Sequence, residues 1–189
     1  MKRLTAAIML ILIGAVIFAS NPISFSGRYA LVGSDGRTIR RTSVDVEGTG
    51  VVLATGEEKA KAEGSAFSLI LGENSLAAIK DEEGLVIYLV YGNATVVSGD
   101  ERDIAVYTPT TKTTLSAKGE YHFISLDKEE KAYNFSSPDI ELYDSIRGTY
   151  TTLSYNEGYD YIKGRKIEAD ENKRYLETPI HVLTPVFTD

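Results

Sequence analysis

The chain has no cysteine and no tryptophan, and only two histidines and five prolines among its 189 residues. Without cysteine there is no disulfide framework, no thiolate nucleophile and no cysteine-ligated zinc. The two histidines, His122 and His181, form no pair at ligand spacing. Sustained 3.6-residue apolar periodicity is also missing, which argues against a helical bundle. Basic residues are in the minority, with 20 Lys and Arg against 27 Asp and Glu and a formal net charge of −7. An acidic chain without a basic stripe is a poor match for nucleic acid or for an anionic lipid surface.

Catalytic patterns are equally scarce. Ser26 and Ser65 each adjoin a glycine but lack the Gly-x-Ser-x-Gly setting of an activated serine. Acidic residues are numerous, yet no spacing selects a pair for glycoside hydrolysis. Asp81-Glu82-Glu83-Gly84 and Gly99-Asp100-Glu101 place carboxylates at turns, where a hard cation could be held. Neither follows the twelve-residue calcium-loop pattern, and both read as solvated turns. His122 reads as a satisfied, partly buried strand residue sharing its face with Ile124 and Leu126. No catalytic residue, no cofactor and no metal is expected.

What is present begins at the start of the chain. Met1-Lys2-Arg3 is followed by an apolar run from Leu4 to Ala19. Sixteen residues at about 1.5 Å each make a helix of roughly 24 Å, short against a bilayer core of about 30 Å. A basic start joined to a short apolar core is the pattern of an export signal. Two outcomes stay open: release after cleavage near residue 20, or an uncleaved anchor with Lys2 and Arg3 holding the N-terminus inside. The expected location is the periplasm or cell surface, with Leu4–Ala19 as a membrane tether in the second case. No cysteine follows the run, so a lipidated cysteine is excluded.

Beyond the signal, glycines punctuate the chain, Gly48, Gly50, Gly56, Gly64, Gly72, Gly84, Gly92 and Gly99 among them. Between them lie short runs rich in Val, Ile, Thr, Tyr and Phe. Short strands at this rhythm predict an all-β domain, a β-solenoid or a sandwich, over residues 21–164. Phe67, Leu69 and Leu71 fall on one face of a half-buried strand. Residues 85–91, Leu-Val-Ile-Tyr-Leu-Val-Tyr, are apolar on both faces, and predict a central strand covered on both sides. Residues 165–189 are charged at first, with a short helix expected near 167–176. Thr178-Pro179 and Thr184-Pro185 keep the end extended. This segment reads as an appendage.

Tyrosines supply the candidate surface. Tyr150, Tyr155, Tyr159 and Tyr161 lie close together, and Tyr159 and Tyr161 share a face if their segment is a strand. Tyrosine favours strands and also serves rigid, amphipathic contact surfaces. Tyr155, Tyr159 and Tyr161 are the candidate partner surface. Asn93-Ala-Thr95 and Asn134-Phe-Ser136 match the glycosylation sequon.

Over Ser43 to Lys163 the order of strands and turns resembles the periplasmic domain of FecR-type proteins. The resemblance rests on the turn Gly72-Glu73-Asn74-Ser75, the strand Leu85 to Gly92 and the strand Ala94 to Val97. It rests further on Tyr107-Thr108-Pro109-Thr110, on Lys118-Gly119-Glu120-Tyr121-His122-Phe123, and on Ser154-Tyr155-Asn156-Glu157-Gly158. Glu120 stands where the family usually has threonine. The resemblance implies a FecR-type all-β domain, and the apolar run adds an N-terminal signal helix before it. Family members that relay signals carry a cytoplasmic sigma-factor-binding segment before one membrane span. Here Met1, Lys2 and Arg3 alone precede the apolar run, so the expectation is a stand-alone exported domain.

These readings converge on a non-catalytic binding or scaffolding domain of the cell envelope, whose partner is an envelope protein or a polysaccharide. The alternative is a β-sandwich that binds or hydrolyses envelope carbohydrate. A cleft lined by two close carboxylates would favour the alternative, and a flat face the former.

Overall fold

The structure, a computed structural model, describes residues 22–169 apart from 45–49, 82–83, 100–101 and 137. The apolar run at 4–19 and residues 170–189 lie outside the described residues. Fourteen strands connect by hydrogen bonds into one sheet. β1 (Ile23–Gly33), β3 (Gly50–Glu63) and β6 (Leu85–Ser98) are long; β2 is Ser43–Val44, β4 Phe67–Leu71 and β5 Leu76–Asp81. β7 (Ile104–Tyr107), β8 (Thr111–Leu115), β9 (Gly119–Leu126) and β10 (Glu129–Asn134) follow, and β11 (Ile140–Asp144), β12 (Thr149–Leu153), β13 (Glu157–Asp160) and β14 (Arg165–Glu168) complete the series.

The three long strands fold this sheet into two layers. Residues 85–91 of β6 pair with β5 and β7, whereas residues 92–98 pair with β4 and β9. β1 and β3 divide in the same way: residues 29–33 pair with 51–55, and residues 24–27 with 60–63. The first layer therefore runs β1–β3–β5–β6–β7–β8–β11–β12. The second runs β2–β1–β3–β4–β6–β9–β10–β13–β14. Every pairing is antiparallel except β6–β7.

Glycines make the bends. Gly27 and Gly92 have φ of +92° and +98°, a backbone region that side chains with a Cβ rarely enter. At Gly92 a Cβ would also run into Ser75, whose hydroxyl accepts the Asn93 N–H at 3.0 Å.

The layers bury one core between them. Leu31, Leu53, Ile79, Ile87, Leu89 and Ile104 of the first layer join Phe25, Leu69, Leu71, Tyr121 and Phe123 of the second in a single cluster. Each such side chain contributes about 1.5–3 kcal/mol of burial. The all-β expectation holds, in its sandwich form. β4 places Phe67, Leu69 and Leu71 in this core as expected, but Ile70 on its other face is also buried, so the strand is not half-buried.

Two further expectations are corrected. Residues 85–91 are not covered on both sides: Tyr88, Val90 and Tyr91 are exposed while Leu85, Ile87 and Leu89 are buried. Strands shut on both faces include β9 and β10, where Tyr121, Phe123 and Ala132 face the main core and Ile124 and Tyr133 a second cluster. The sheet also passes residue 164. Residues 165–168, expected to begin an appendage, form β14 on the edge of β13. Arg165, Lys166 and Glu168 are exposed and Ile167 is half-buried, so their charges suit an edge strand.

Candidate functional site

The outward side chains of the first layer form a row. Tyr88 lies directly opposite Tyr107, Tyr107 opposite Lys112, Lys112 opposite Tyr143, and Tyr143 opposite Tyr150. Strand alternation puts them outside, because Ile87, Val106, Thr111, Thr113 and Leu142 beside them are buried. Five strands thus bring together residues spread over more than sixty positions of sequence.

The row is stacked along its length. The Tyr88 and Tyr107 rings are 4.9 Å apart at 20°, the Lys112 ammonium lies 5.5 Å from the Tyr107 centroid, and Tyr143 and Tyr150 are 5.0 Å apart at 46°. An exposed cation over a ring is worth about 0.5–1 kcal/mol, and an aromatic pair adds about 0.5–1.5 kcal/mol beyond its buried area. The rings consequently fix one another before any partner arrives. Tyr88 is 42% and Tyr150 68% exposed. Val86, Ala105 and Thr114 make the adjacent row. A shallow, open depression of about 650 Å³ lies at the β8–β11–β12 end, bordered by Lys112, Thr114, Asp139, Glu141, Tyr143 and Tyr150.

The tyrosines singled out from sequence divide. Tyr155 is exposed, beside Phe135, Ser136 and Pro138. Tyr159 and Tyr161 are buried, at 4% and 0% exposure, with rings 4.9 Å apart and nearly perpendicular. They do share a face, but it is the inner one, so the contact surface expected at Tyr155, Tyr159 and Tyr161 keeps only Tyr155. The row through Tyr88, Tyr107, Lys112, Tyr143 and Tyr150 was not singled out, Tyr150 excepted. Its signal is tyrosine at outward strand positions, and only the strand register turns that into a surface.

Tyr159 and Tyr161 belong to a buried polar network. Asp144, its side chain 1% exposed, accepts from the Tyr159 hydroxyl at 3.1 Å and from the Arg147 guanidinium at 2.9 Å. The backbone N–H groups of Ile146 and Arg147 donate to its other oxygen. Burial opposes its ionisation, but Arg147 and these donors outweigh burial and hold the carboxyl below its ordinary range. Burial pushes the Tyr161 phenol well up; its oxygen lies 2.7 Å from the Thr111 hydroxyl. Arg147 also donates to the Tyr161 carbonyl at 2.6 Å. Every partner is structural, and the network staples β11 to β13.

The remaining candidates are quickly placed. His122 is fully buried, with Nδ1 3.0 Å from the Thr95 hydroxyl. It lies on the face of Ile124, as expected. Asp81 pairs with Arg102 through both oxygens, at 2.7 and 2.8 Å; Glu82, Glu83, Asp100 and Glu101 lie outside the described residues. Asn134 is buried and donates to the carbonyls of Pro138 and Leu153, so its sequon is closed to modification in the folded state. Among the described residues no group of three metal-ligating side chains converges, and no described helix is long and apolar enough to cross a membrane.

No family model and no curated protein matches the chain. Among solved structures it is similar to two crystal structures of a candidate anti-sigma factor from Parabacteroides distasonis ATCC 8503. One matches with a TM-score of 0.55 at 13% identity over 66% of this chain, the other with 0.50 at 14% over 63%. The matches span 63% and 60% of those chains. At such identities the likeness is one of fold: this chain has the β-rich architecture of those proteins.

Proposed function

We propose that this chain is an exported, non-catalytic binding domain of FecR type in the cell envelope, and that the row from Tyr88 to Tyr150 is its contact surface for an envelope protein. The observation that carries the reading is the in-register row itself. A row of pre-stacked tyrosines offers a partner rigid contact area at little entropic cost. Tyrosine and its hydroxyl are also enriched among residues that dominate protein interfaces. The sequence resemblance over residues 43–163 and the fold likeness to two structures described as a candidate anti-sigma factor both support a binding or scaffolding role. Tyr88 and Tyr107 cover one face of each other's ring, which leaves a sugar less open ring surface to stack on.

The test uses a photo-crosslinking residue at Tyr150 in the full chain, expressed in its own cells, with Lys128 at the exposed β9–β10 turn as control. One defined protein adduct in the envelope fraction, formed from position 150, absent from 128 and lost in Tyr88→Ala/Tyr143→Ala, is the expected result. Equal adducts from both positions, or a glycan adduct, would refute the contact surface. Recovery of the chain in the cytosol would refute the location.

A further inference from the structure

Among the described strands the two layers end in four edges, β1 and β12 in the first and β2 and β14 in the second. Three of them are guarded. The outer side of β1 is covered by its own turn: the Gly33 N–H donates to the Arg37 carbonyl at 2.9 Å, the Ile39 N–H donates to the Leu31 carbonyl at 2.8 Å, and Val32 is bridged to Thr38. β2 has two residues, and β14 carries the exposed charges of Arg165, Lys166 and Glu168. Short or charged edge strands resist the approach of another strand.

β12 is the exception. Its five residues, Thr149-Tyr150-Thr151-Thr152-Leu153, hold no charge, no proline and no glycine, and Thr149, Tyr150 and Thr152 are exposed. The strand β11 beside it fixes the direction of its backbone groups. The Ser145 N–H donates to the Thr110 carbonyl, and the carbonyl oxygens of Tyr143 and Glu141 lie 3.0 and 2.7 Å from the Thr111 and Thr113 hydroxyls of β8. Tyr143 and Glu141 thus turn their backbone groups to β8, and Leu142 between them turns its own to β12. Thr151 is opposite Leu142, whereas Tyr150 and Thr152 are opposite Tyr143 and Glu141. The N–H and C=O groups of Tyr150 and Thr152 therefore point away from the sheet, where no described strand meets them.

We propose that β12 is a strand-addition site, which takes an extended segment of another protein as the next strand of the first layer. Free donors and acceptors along one edge are met by an extended backbone. The surroundings specify its side chains. Glu141, opposite Thr152, and Asp139 are exposed, while Lys112 is engaged with Tyr107. A partner residue paired with Thr152 lies two strand spacings, about 10 Å, from Glu141, a gap that a lysine or arginine spans. A partner residue paired with Tyr150 lengthens the tyrosine row by one position, which suits an aromatic or β-branched side chain. A second copy of this chain, with its net charge of −7, would bring its own Glu141 and Asp139 to the same edge and fits less well. That the segment belongs to an envelope protein rests on the reading of the row as a contact surface; the open edge is a separate observation.

The test uses the purified full chain and displayed nine-residue peptides of random sequence. Thr152→Pro removes one outward N–H at an edge position where proline is tolerated, and Thr152→Val keeps it. Peptides selected on the parent chain are expected to carry lysine or arginine two positions from an aromatic or β-branched residue. They are expected to bind Thr152→Pro at least tenfold more weakly and Thr152→Val within twofold. No selected peptide, equal affinity for Thr152→Pro, or self-association of the chain that Thr152→Pro abolishes would overturn the proposal. If the proline variant fails to fold, amide exchange of the parent chain decides: bound peptide should slow the Thr152 N–H at least tenfold and leave Thr151 unchanged, and an unaltered Thr152 rate counts against strand addition. Peptides weakened by Tyr88→Ala/Tyr143→Ala but not by Thr152→Pro would sink strand addition and leave the row standing. The reverse pattern, with no envelope-protein adduct from position 150, would sink the row and support the edge.

Discussion

Tyr159 on β13 donates its hydroxyl hydrogen to the Asp144 carboxylate at the end of β11, across 3.1 Å inside the core. Arg147 donates to the same oxygen at 2.9 Å. Asp144→Asn keeps the size and removes the charge that all these donors address. The expected cost is about 1.5–3 kcal/mol, the scale of hydrogen bonds to a charged group, read from urea denaturation at pH 7.

The same carboxyl sets a pH dependence. Its pKa is lower in the fold than in the unfolded chain, so the folded state resists protonation. Its stabilisation is complete above the unfolded value of about 3.9 and is lost as pH falls through the lower folded value. Asp144→Asn should therefore flatten the acid limb of a stability–pH profile below about pH 4. An unchanged limb would assign acid loss to other carboxylates.

Tyr155 and Tyr159 make a contrasting pair. Tyr155→Ala is expected to shift stability by less than about 0.5 kcal/mol, as at an ordinary surface site. Tyr159→Ala opens the core beside Tyr161 and strips a donor from Asp144, with an expected loss of about 3–5 kcal/mol. Thermal melts of the two variants separate these outcomes.

Gly158→Ala tests the packing of the second cluster. A Cβ at Gly158 would stand 2.5 Å from Cδ1 of the Tyr133 ring, and that ring is pinned between His122 and Phe135, each 6.1 Å away. The expected penalty is about 1–3 kcal/mol, with the shift recorded in Tyr133 ring resonances.

In the row, a double-mutant cycle on Tyr88→Ala and Tyr107→Ala is expected to return a coupling of about 0.5–1.5 kcal/mol, measured by chemical denaturation of the four proteins. A coupling near zero would mean that the stacked rings are not preorganised in solution.

The all-β class was legible because glycine turns and β-branched runs recur at strand spacing. Alternation was legible where polar residues interrupt it, as at Ser68 between Phe67 and Leu69. Where both faces are apolar the pattern is silent, and Leu85 to Tyr91 was assigned two covered faces although Tyr88 and Val90 stand in solvent. The opposite failure occurs in β9, whose Glu120 and His122 suggest an open side that is in fact buried. Burial there depends on what lies over the sheet, which local pattern does not encode. The tyrosine row escaped for a related reason: Tyr88 and Tyr107 become neighbours only through a parallel pairing across an intervening segment.

Three backbones, β1, β3 and β6, belong to both leaves of the sandwich. The leaves therefore cannot part like the covers of a book, nor can one melt and leave the other intact, since pulling any of the three strands free tears hydrogen bonds on both sides at once. Mechanical load or a proteolytic nick should be met by all-or-none failure of the whole body.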